Sequence, residues 1–406
     1  MSIFKEIPPT AGFPLRWRDL LSIFDTKNHQ GSLEQDFRDY LGVPYAKVTY
    51  SGTAAFYLIL ESLKNLSSKK TVVIPAYICP LVPLAIKRAG LKVKVCDISR
   101  EDFNFDIRRL EDLCLKSDDI LAIVAVHLAG IPVDIETIKQ IADRRGITVI
   151  EDCAQALGAV YKGKKVGTLG DFSFFSLCRG KGLTIYEGGV IAANNKDNSG
   201  ELDNALRRLV KDDFLSESLK IFELFGYWMF YRPQLFWFAS GLPQLFWDLR
   251  KDRARAAGDF FTDDFATHKV SKIRKSIGHI NFWRLDGEIA RQREKAFDYI
   301  RGLEGVRGIR LITEPAASEA VYPYLTLLFE DPLKRKKAQR VFTGSGLGVS
   351  QIYESAITDY SYLKGIIGDS HCPNARSLAE REITLTTSAF LKKQDLNSVV
   401  GMIKNL

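Results

Sequence analysis

Short apolar runs alternate with segments of helical periodicity over the first half of the chain, and this alternation restricts the possible folds most strongly. Runs that are rich in Val and Ile and apolar on both faces belong in a sheet that helices cover on both sides. The pattern predicts an α/β fold with a mainly parallel central sheet. The runs are TVVIPAY (71–77), KVKVCDI (92–98), ILAIVAVHLAG (120–130), GITVIEDCA (146–154), DFSFFSL (171–177) and GGVIAAN (188–194).

The second half of the chain has a different pattern. Residues 195–300 have mainly helical periodicity, and further strand-like and helix-like segments follow, such as YPYLTLLFED (322–331) and LKKQDLNSVVGMIKNL (391–406). With 406 residues, 46% of them hydrophobic, the chain is long enough for two lobes. The predicted parts are an N-terminal segment (1–30), a large domain (31–300) with an aromatic-rich helical insertion at about 212–262, and a small C-terminal α+β domain (301–406).

Composition and charge limit the kinds of ligand and macromolecular partner that we expect. The formal charge of +8 suits an anionic ligand such as a nucleotide or phosphate. Basic residues are interspersed with acidic ones and no nucleic-acid-binding signature occurs, so we expect no nucleic-acid partner. The six cysteines lack C-x-x-C spacing, which predicts free thiols and no metal site. The N-terminus has no long apolar stretch, and we therefore expect a cytoplasmic protein.

Two polar sites follow predicted strands, where ligands gather in sheets of this type. Ser51-Gly52-Thr53 precedes an apolar helix, and the free amides and dipole at a helix start favour an anion. The same turn also suits an ordinary helix N-cap. Asp152 ends the run ITVIED and would be costly to bury as an ion without a cationic partner. A carboxylate that caps a helix is the alternative.

Lys181 lies in a glycine-flanked loop beyond the next strand, and Ser176 precedes it by five residues. Alone, this lysine would be read as a surface residue. Together with the anion site and the acid, it suggests pyridoxal phosphate, which needs an amine to form an imine, an acid that keeps the pyridine nitrogen protonated, and a phosphate site.

These residues lie in blocks that together resemble the DegT/DnrJ/EryC1/StrS family of sugar aminotransferases. The resemblance covers roughly residues 30–200 and 270–406, and it implies pyridoxal-phosphate transferase fold type I with a smaller C-terminal α+β lobe. The matching blocks are SGTAA (51–55), IPAY (74–77), HLAGIPVD (127–134), EDCAQALGA (151–159), GDFSFFSLCRGKGLT (170–184), EGG (187–189) and CPNARSLAEREITL (372–385).

The resemblance implies a role for each matching position. Lys181 would form the Schiff base with pyridoxal phosphate and carry the proton. Asp152 would pair with the pyridinium nitrogen, and Gln155 would lie near the phenolic oxygen of the ring. The implied phosphate ligands are Ser176 and the backbone amides of Gly52 and Thr53.

The sequence departs from the family pattern in segments expected to face the substrate. The ring-stacking aromatic falls at Cys79, which leaves Tyr77 as the candidate stacking residue. Where many members have Asn-Tyr-Arg reaching the partner subunit's cofactor phosphate, this chain has Thr267-His268-Lys269. Tyr353 aligns with a tyrosine whose neighbours differ here, and Ser388 replaces a common histidine. We take Tyr353, Lys269 and His268 as candidate substrate-site residues.

Residues 214–247 are unusually rich in Phe, Trp and Tyr. Charged residues and prolines interrupt this segment, so it is too short and too polar for a spanning helix. Aromatic side chains next to the basic residues at 250–255 suit peripheral contact with a membrane or a lid over an apolar substrate. A buried subdomain or a dimer contact is the alternative.

The resulting hypothesis is transfer of an amino group from an amino acid, glutamate, to a keto-sugar linked to a nucleotide, as in polysaccharide or lipopolysaccharide biosynthesis. The resemblance also implies a homodimer. Two alternatives stay open: a pyridoxal-phosphate-dependent sugar dehydratase, and a degenerate fold with a regulatory or binding role. Lys181 counts against the dehydratase, and the departures at 267–269 and Ser388 favour the degenerate fold.

Overall fold

The computed structural model describes residues 5–21, 31–195, 199–256 and 258–406. Its largest element is a seven-stranded sheet with the order β1-β9-β8-β5-β4-β2-β3. Strands β2, β3, β4, β5 and β8 pair in parallel. Strand β9 runs in the opposite direction and pairs antiparallel with β8 on one side and with the edge strand β1 on the other. The strands are β1 (Tyr45–Thr49), β2 (Thr71–Pro75), β3 (Lys92–Cys96), β4 (Ile120–Val126), β5 (Thr148–Asp152), β8 (Phe172–Ser176) and β9 (Gly189–Ala193). The predicted mainly parallel α/β sheet is confirmed.

Helices cover both faces of this sheet, as the doubly apolar strands predicted. Side chains alternate along each strand, so Val72 and Val73 of β2 belong to separate hydrophobic clusters on opposite faces. Helices α3, α4 and α7 pack in the first cluster, and α2, α5 and α6 pack in the second. The helices before the insertion are α1 (Trp17–Leu21), α2 (Leu33–Leu41), α3 (Gly52–Leu66), α4 (Leu81–Arg88), α5 (Ile107–Lys116), α6 (Ile135–Asp143) and α7 (Ser199–Leu209).

The predicted insertion is helical. Its helices are α8 (Phe214–Phe230), α9 (Phe236–Ala239), α10 (Gly241–Leu249) and α11 (Arg253–Ala256), and α12 (Lys272–Phe282) and α13 (Leu285–Leu303) follow it. Within the described residues, none of the helices combines the length and the apolar composition that crossing a bilayer requires.

The C-terminal part contains an antiparallel sheet with the order β10-β12-β14-β13, which agrees with the predicted α+β lobe. Its strands are β10 (Ile309–Ile312), β12 (Tyr324–Phe329), β13 (Val349–Ser350) and β14 (Glu382–Thr386), and its helices are α14 (Pro332–Phe342), α15 (Lys364–Ile367), α16 (Pro373–Arg381) and α17 (Lys393–Lys404). A small sheet of β6 (Val160–Tyr161), β7 (Lys164–Lys165) and β11 (Ser318–Glu319) connects the two parts.

The domain boundaries at 30/31 and 300/301 stay a prediction, and residues 1–4 and 22–30 of the N-terminal segment lie outside the described residues. The described part of that segment contacts both lobes, since the amide of Phe13 bonds to the carbonyl of Lys181 in the large domain (2.9 Å) and two further amides bond to the C-terminal lobe. The amide of Ile7 bonds to the carbonyl of Gly346 (2.9 Å), and the amide of Ala11 bonds to the carbonyl of Pro323 (2.7 Å). We call residues 6–13 the N-terminal strap.

Candidate active site

A pocket opens where β5 and β8 end, against the N-terminal strap and the C-terminal lobe. Its lining includes Thr10, Gln155, Ser176, Lys181 and Tyr324. The unfilled space between these residues, open solvent included, measures about 480 Å³. Three of the residues predicted from the sequence therefore meet in one pocket, although they come from separate loops and strands.

Asp152 ends β5 and is almost fully buried. Its Oδ1 accepts one hydrogen bond, from the amide of Ala154 (2.9 Å). Burial raises the pKa of Asp152 to about 6, while the amide of Ala154 and the positive charges of Lys181 and His127 lower it. Because desolvation outweighs these favourable contacts, the carboxylate has energy to gain from a further cation, such as a protonated ring nitrogen.

The start of α3 lies directly against the end of β8. Ser51 caps α3, because its Oγ accepts a hydrogen bond from the amide of Ala54 (3.1 Å), so the N-cap interpretation is correct. The amides of Gly52 and Thr53 belong to the first turn and have no carbonyl partner within the helix. A Cβ atom on Gly52 would lie 3.1 Å from Cβ of Ser176. The cap and the anion site are therefore compatible features of one turn.

Gln155 follows β5, and its orientation is fixed by two hydrogen bonds. Its Oε1 accepts from the amide of Ala129 (2.9 Å) and from the hydroxyl of Tyr324 (2.6 Å). The carbonyl oxygen is thus fully used, and the side-chain NH₂ is the group left to donate to a ligand. This arrangement suits the predicted contact with a phenolic oxygen.

The loop that carries Lys181 is held from two sides. On one side, the amide of Phe13 in the N-terminal strap donates to the carbonyl of Lys181 (2.9 Å). On the other side, the fully buried Arg274 donates to the carbonyl of Glu187 and pairs with Glu217. Arg274 was not singled out from the sequence, since a lysine- and arginine-rich helix start gives no sign that one of its cations is buried.

Tyr77 and Tyr353 lie beside the pocket and do not line it. The hydroxyl of Tyr77 accepts from the amide of Tyr353 (3.2 Å), and their rings pack edge to face at 5.4 Å. Burial raises the pKa of Cys79 to about 12, and the charges of Lys181 and Asp152 also act on its thiol. Cys79 therefore lies within electrostatic range of both Lys181 and Asp152, and stacking by Tyr77 stays a prediction.

The structure does not bring His268 and Lys269 to the pocket of their own chain. The ring of His268 packs on Tyr50 with centroids 4.1 Å apart, and its Nε2 lies 3.3 Å from Glu217. Lys269 is exposed and pairs with Asp212 (2.8 Å). A role for either residue at a cofactor site would need a second subunit, as the resemblance implied, and it stays a prediction.

Glu151 forms an anchor that sequence reasoning missed. Its carboxylate accepts from His127 Nε2 (3.0 Å) and from the amides of Gly167, Leu169 and Gly170 (2.7, 2.7 and 2.6 Å). His127, Glu151 and Cys153 bring possible metal-ligand atoms within 4.8 Å of one another. The four donors to Glu151 fill its acceptor positions, so this group holds the loop before β8 in place.

Glu382 is a second residue that the sequence did not reveal. It is fully buried, and its Oε1 accepts from the hydroxyl of Tyr77 (3.2 Å) and the amide of Ile352 (2.8 Å). Burial raises the pKa of Glu382 to about 8. The carboxyl group thus joins β14 of the C-terminal lobe to the segment after β2.

These features fit pyridoxal phosphate. Gly52 leaves space beside Ser176 at a helix start, Asp152 is buried with a single hydrogen bond, and Lys181 reaches the same pocket. A parallel sheet that presents a lysine, a buried acid and an anion cradle at its strand ends defines an enzyme of the pyridoxal-phosphate class.

The sequence profile described as the DegT/DnrJ/EryC1/StrS aminotransferase family matches residues 22–213 and 253–404, so the chain belongs to this family. The UDP-4-amino-4,6-dideoxy-N-acetyl-beta-L-altrosamine transaminase of Campylobacter jejuni is 30% identical over 72% of this chain and 77% of its own length. The protein is a pyridoxal-phosphate-dependent aminotransferase. The comparisons do not favour the dehydratase or the degenerate fold.

Solved structures share the fold. PseC of Helicobacter pylori, an aminotransferase involved in the biosynthesis of pseudoaminic acid, has a TM-score of 0.77 at 18% identity, and the match covers 99% of both chains. The sugar aminotransferase CalS13 of Micromonospora echinospora has a TM-score of 0.75 at 22% identity, covering 98% of this chain and 99% of that one. The predicted fold type is confirmed.

Proposed function

We propose that the protein transfers an amino group from glutamate to the carbonyl of a keto-sugar carried by a nucleotide. The observation that carries this proposal is the pocket lined by Lys181 and Ser176, because the charge of Lys181 acts on the buried Asp152 and the helix start at Gly52 lies against Ser176. The name of the Campylobacter relative contains a nucleotide-linked amino sugar, which is the kind of product that this transfer would give. The positive net charge also suits an anionic nucleotide.

Each candidate site residue has a defined role in the proposed reaction. Pyridoxal phosphate, when bound, supplies the carbonyl that takes up the amino group and a ring that makes the substrate C–H bond acidic. Lys181 Nζ would accept that proton and would donate it on the other side of the imine nitrogen, as a 1,3-shift requires. Asp152 holds the proton on the ring nitrogen, and Gln155 donates its side-chain NH₂ to the phenolic oxygen. Ser176 with the amides of Gly52 and Thr53 binds the phosphate.

Absorbance of the purified holoenzyme tests this function. The lysine-bound cofactor absorbs at roughly 410–430 nm, and glutamate should bleach this band. A nucleotide-linked keto-sugar should then restore it and yield the amino sugar. A dehydratase or a binding protein that merely retains the cofactor would keep the band in the presence of glutamate, and that result would exclude the proposed reaction.

We further propose a homodimer in which the partner's segment 267–269 approaches the cofactor phosphate. The exposed Lys269, which lies outside the pocket of its own chain, supports this arrangement. We also propose that the enzyme works in the cytoplasm and contacts a membrane peripherally through residues 214–255.

A further inference from the structure

The longest helix of the insertion, α8, has two very different faces. Its inner face contains the buried side chains of Glu217, Leu224 and Tyr227. Its outer face is apolar and exposed, with Phe214 at 87% and Phe222 at 76% relative exposure. The exposed large apolar residues of α8 are Phe214, Leu215, Leu219, Phe222, Phe225 and Met229. This stripe contains no charged side chain, which is unusual for a surface exposed to water.

Helix α10 adds a second exposed apolar stripe at helical spacing. Its members are Leu242, Leu245, Phe246 and Leu249. Arg250 and Lys251 follow immediately, and the guanidinium of Arg250 lies 4.2 Å from the ring centre of Phe246. We call the two stripes together with these two basic residues the insertion surface.

The insertion surface lies in a part of the chain that the family profile leaves unmatched. The family profile matches residues 22–213 and 253–404, so its unmatched stretch, 214–252, spans the whole of α8, α9 and α10. Within this stretch, Leu224 and Tyr227 on the inner face of α8 pack in a core cluster, whereas the residues of the two stripes are exposed. The apolar stripes are therefore not needed for the shared fold, and their exposure calls for a separate physical reason.

We propose that the insertion surface docks on a lipid bilayer that contains anionic lipids, an inference that rests on the peripheral membrane contact proposed above. Exposed aromatic and aliphatic side chains beside basic residues match the apolar and the anionic layers of such a surface. Of the acidic residues just before α8, Asp212 pairs with Lys269 (2.8 Å), and Asp213 caps the helix by accepting hydrogen bonds from Ser216. A second copy of the chain is the alternative occupant, and the oligomeric state in lipid-free buffer distinguishes the two.

The inner face of α8 joins this surface to the active site. The hydroxyl of Tyr231, just beyond α8, bonds to Oγ1 of Thr10 (3.0 Å), which lines the pocket. The hydroxyl of Tyr227 donates to the carbonyl of Phe13, whose amide donates to the carbonyl of Lys181. Docking would thus hold the pocket at a fixed position relative to the bilayer.

Sedimentation of the holoenzyme with vesicles tests the proposal. The wild type should sediment with vesicles that contain phosphatidylglycerol and much less with pure phosphatidylcholine. The double variant Leu219→Ser/Phe222→Ser should bind the anionic vesicles at least about tenfold more weakly, because two exposed apolar side chains no longer enter the lipid. Arg250→Glu/Lys251→Glu should lose the preference for anionic lipid.

Leu333→Ser is the matched control, since Leu333 on α14 is also exposed (70%) and lies outside the insertion. This variant should bind vesicles like the wild type. All variants should keep the glutamate reaction, so loss of docking stays distinct from loss of enzyme function. Absence of binding by the wild type, or equal binding by Leu219→Ser/Phe222→Ser, overturns the proposal. It is also overturned if this variant changes the oligomeric state in lipid-free buffer, because a second copy would then be the occupant.

Discussion

Two neighbouring carboxylates at the end of β5 have opposite surroundings. Side chains alternate along a strand, so Glu151 and Asp152 point to different faces of the sheet. Glu151 receives four hydrogen bonds and anchors the loop before β8. Asp152 receives one hydrogen bond and lies at the pocket. Glu151 therefore stabilises the fold, whereas Asp152 has acceptor positions left for a ligand.

Asp152→Asn should lower the rate of the glutamate reaction on the order of 10²-fold or more, because an amide cannot stabilise the ring-nitrogen proton. Its thermal stability without cofactor should not fall, since the substitution removes a buried charge. Glu151→Gln is the control at the adjacent position, and it should cost about 1–3 kcal/mol of stability through weaker bonds to backbone amides. Stopped-flow absorbance and thermal unfolding separate the two effects. A fast Asp152→Asn variant would contradict the assigned role.

Glu382 predicts a pH dependence of stability. In the folded chain its pKa is about 8, whereas the ordinary glutamate value is 4.5. The folded state therefore holds a proton that the unfolded state has lost between these pH values, and the free energy of unfolding falls as pH rises through this window. Between pH 6 and pH 9 the loss should amount to a few kcal/mol. Glu382→Gln should show a smaller decline in melting temperature over the same range. An unchanged pH profile in this variant would refute the assignment.

At the scale of elements, the phosphate cradle depends on the close approach of α3, β8 and β9. A Cβ on Gly189 of β9 would lie 2.3 Å from the carbonyl oxygen of Ser51. A Cβ on Gly52 would meet Ser176 at the less severe distance of 3.1 Å. Glycine at both positions lets the helix start reach the strand ends, where a phosphate can contact backbone amides.

Gly52→Ala should therefore affect cofactor binding, whereas Gly189→Ala should affect the stability of the protein. Gly52→Ala should weaken cofactor binding by about tenfold, which corresponds to about 1.4 kcal/mol, with little change in the stability of the cofactor-free protein. Gly189→Ala should lower the melting temperature, since backbone atoms at the start of α3 must move. Fluorescence titration with pyridoxal phosphate and thermal unfolding measure the two quantities. Equal cofactor affinity in Gly52→Ala and the wild type would contradict the proposed cradle.

The elements that could be predicted are those with a strong local signal. The run 171–177 predicted β8, and the run 188–194 predicted β9, because apolar segments of this length need a sheet. The antiparallel direction of β9 could not be predicted, since direction depends on the path of the connecting loop. The helices of the insertion were expected, but periodicity alone could not tell which face of α8 is buried.

At the scale of the whole molecule, some site residues could be predicted from the sequence and others could not. Lys181, Asp152 and Gln155 lie in blocks that the family resemblance marks, and the structure brings them together. Glu382 and Tyr77 meet only because the C-terminal lobe packs on the large one, and they are 305 positions apart. A local sequence pattern cannot reveal a contact between such distant residues. The contact between Glu382 and Tyr77 could therefore be found only from the three-dimensional structure.

Dimer formation can be tested by complementation between two inactive or weakened subunits. Lys181→Ala and Lys269→Ala subunits carrying different tags can be co-expressed, and the mixed dimer can be isolated. If Lys269 acts on the partner's cofactor phosphate, one of the two sites in this dimer is intact, and activity should reach about half that of the wild type. Activity no higher than the Lys269→Ala homodimer gives would indicate that Lys269 has no role across the interface.

The central claim concerns Lys181, and the spectrum of its variants tests that claim most directly. Wild-type protein incubated with pyridoxal phosphate should show the band at roughly 410–430 nm and lose it with glutamate. Lys181→Ala should lack the lysine-dependent band and turn over on the order of 10³-fold more slowly. Lys181→Arg, which keeps the charge, should be equally impaired. Full turnover by Lys181→Ala, or a colourless wild-type protein, would contradict the account.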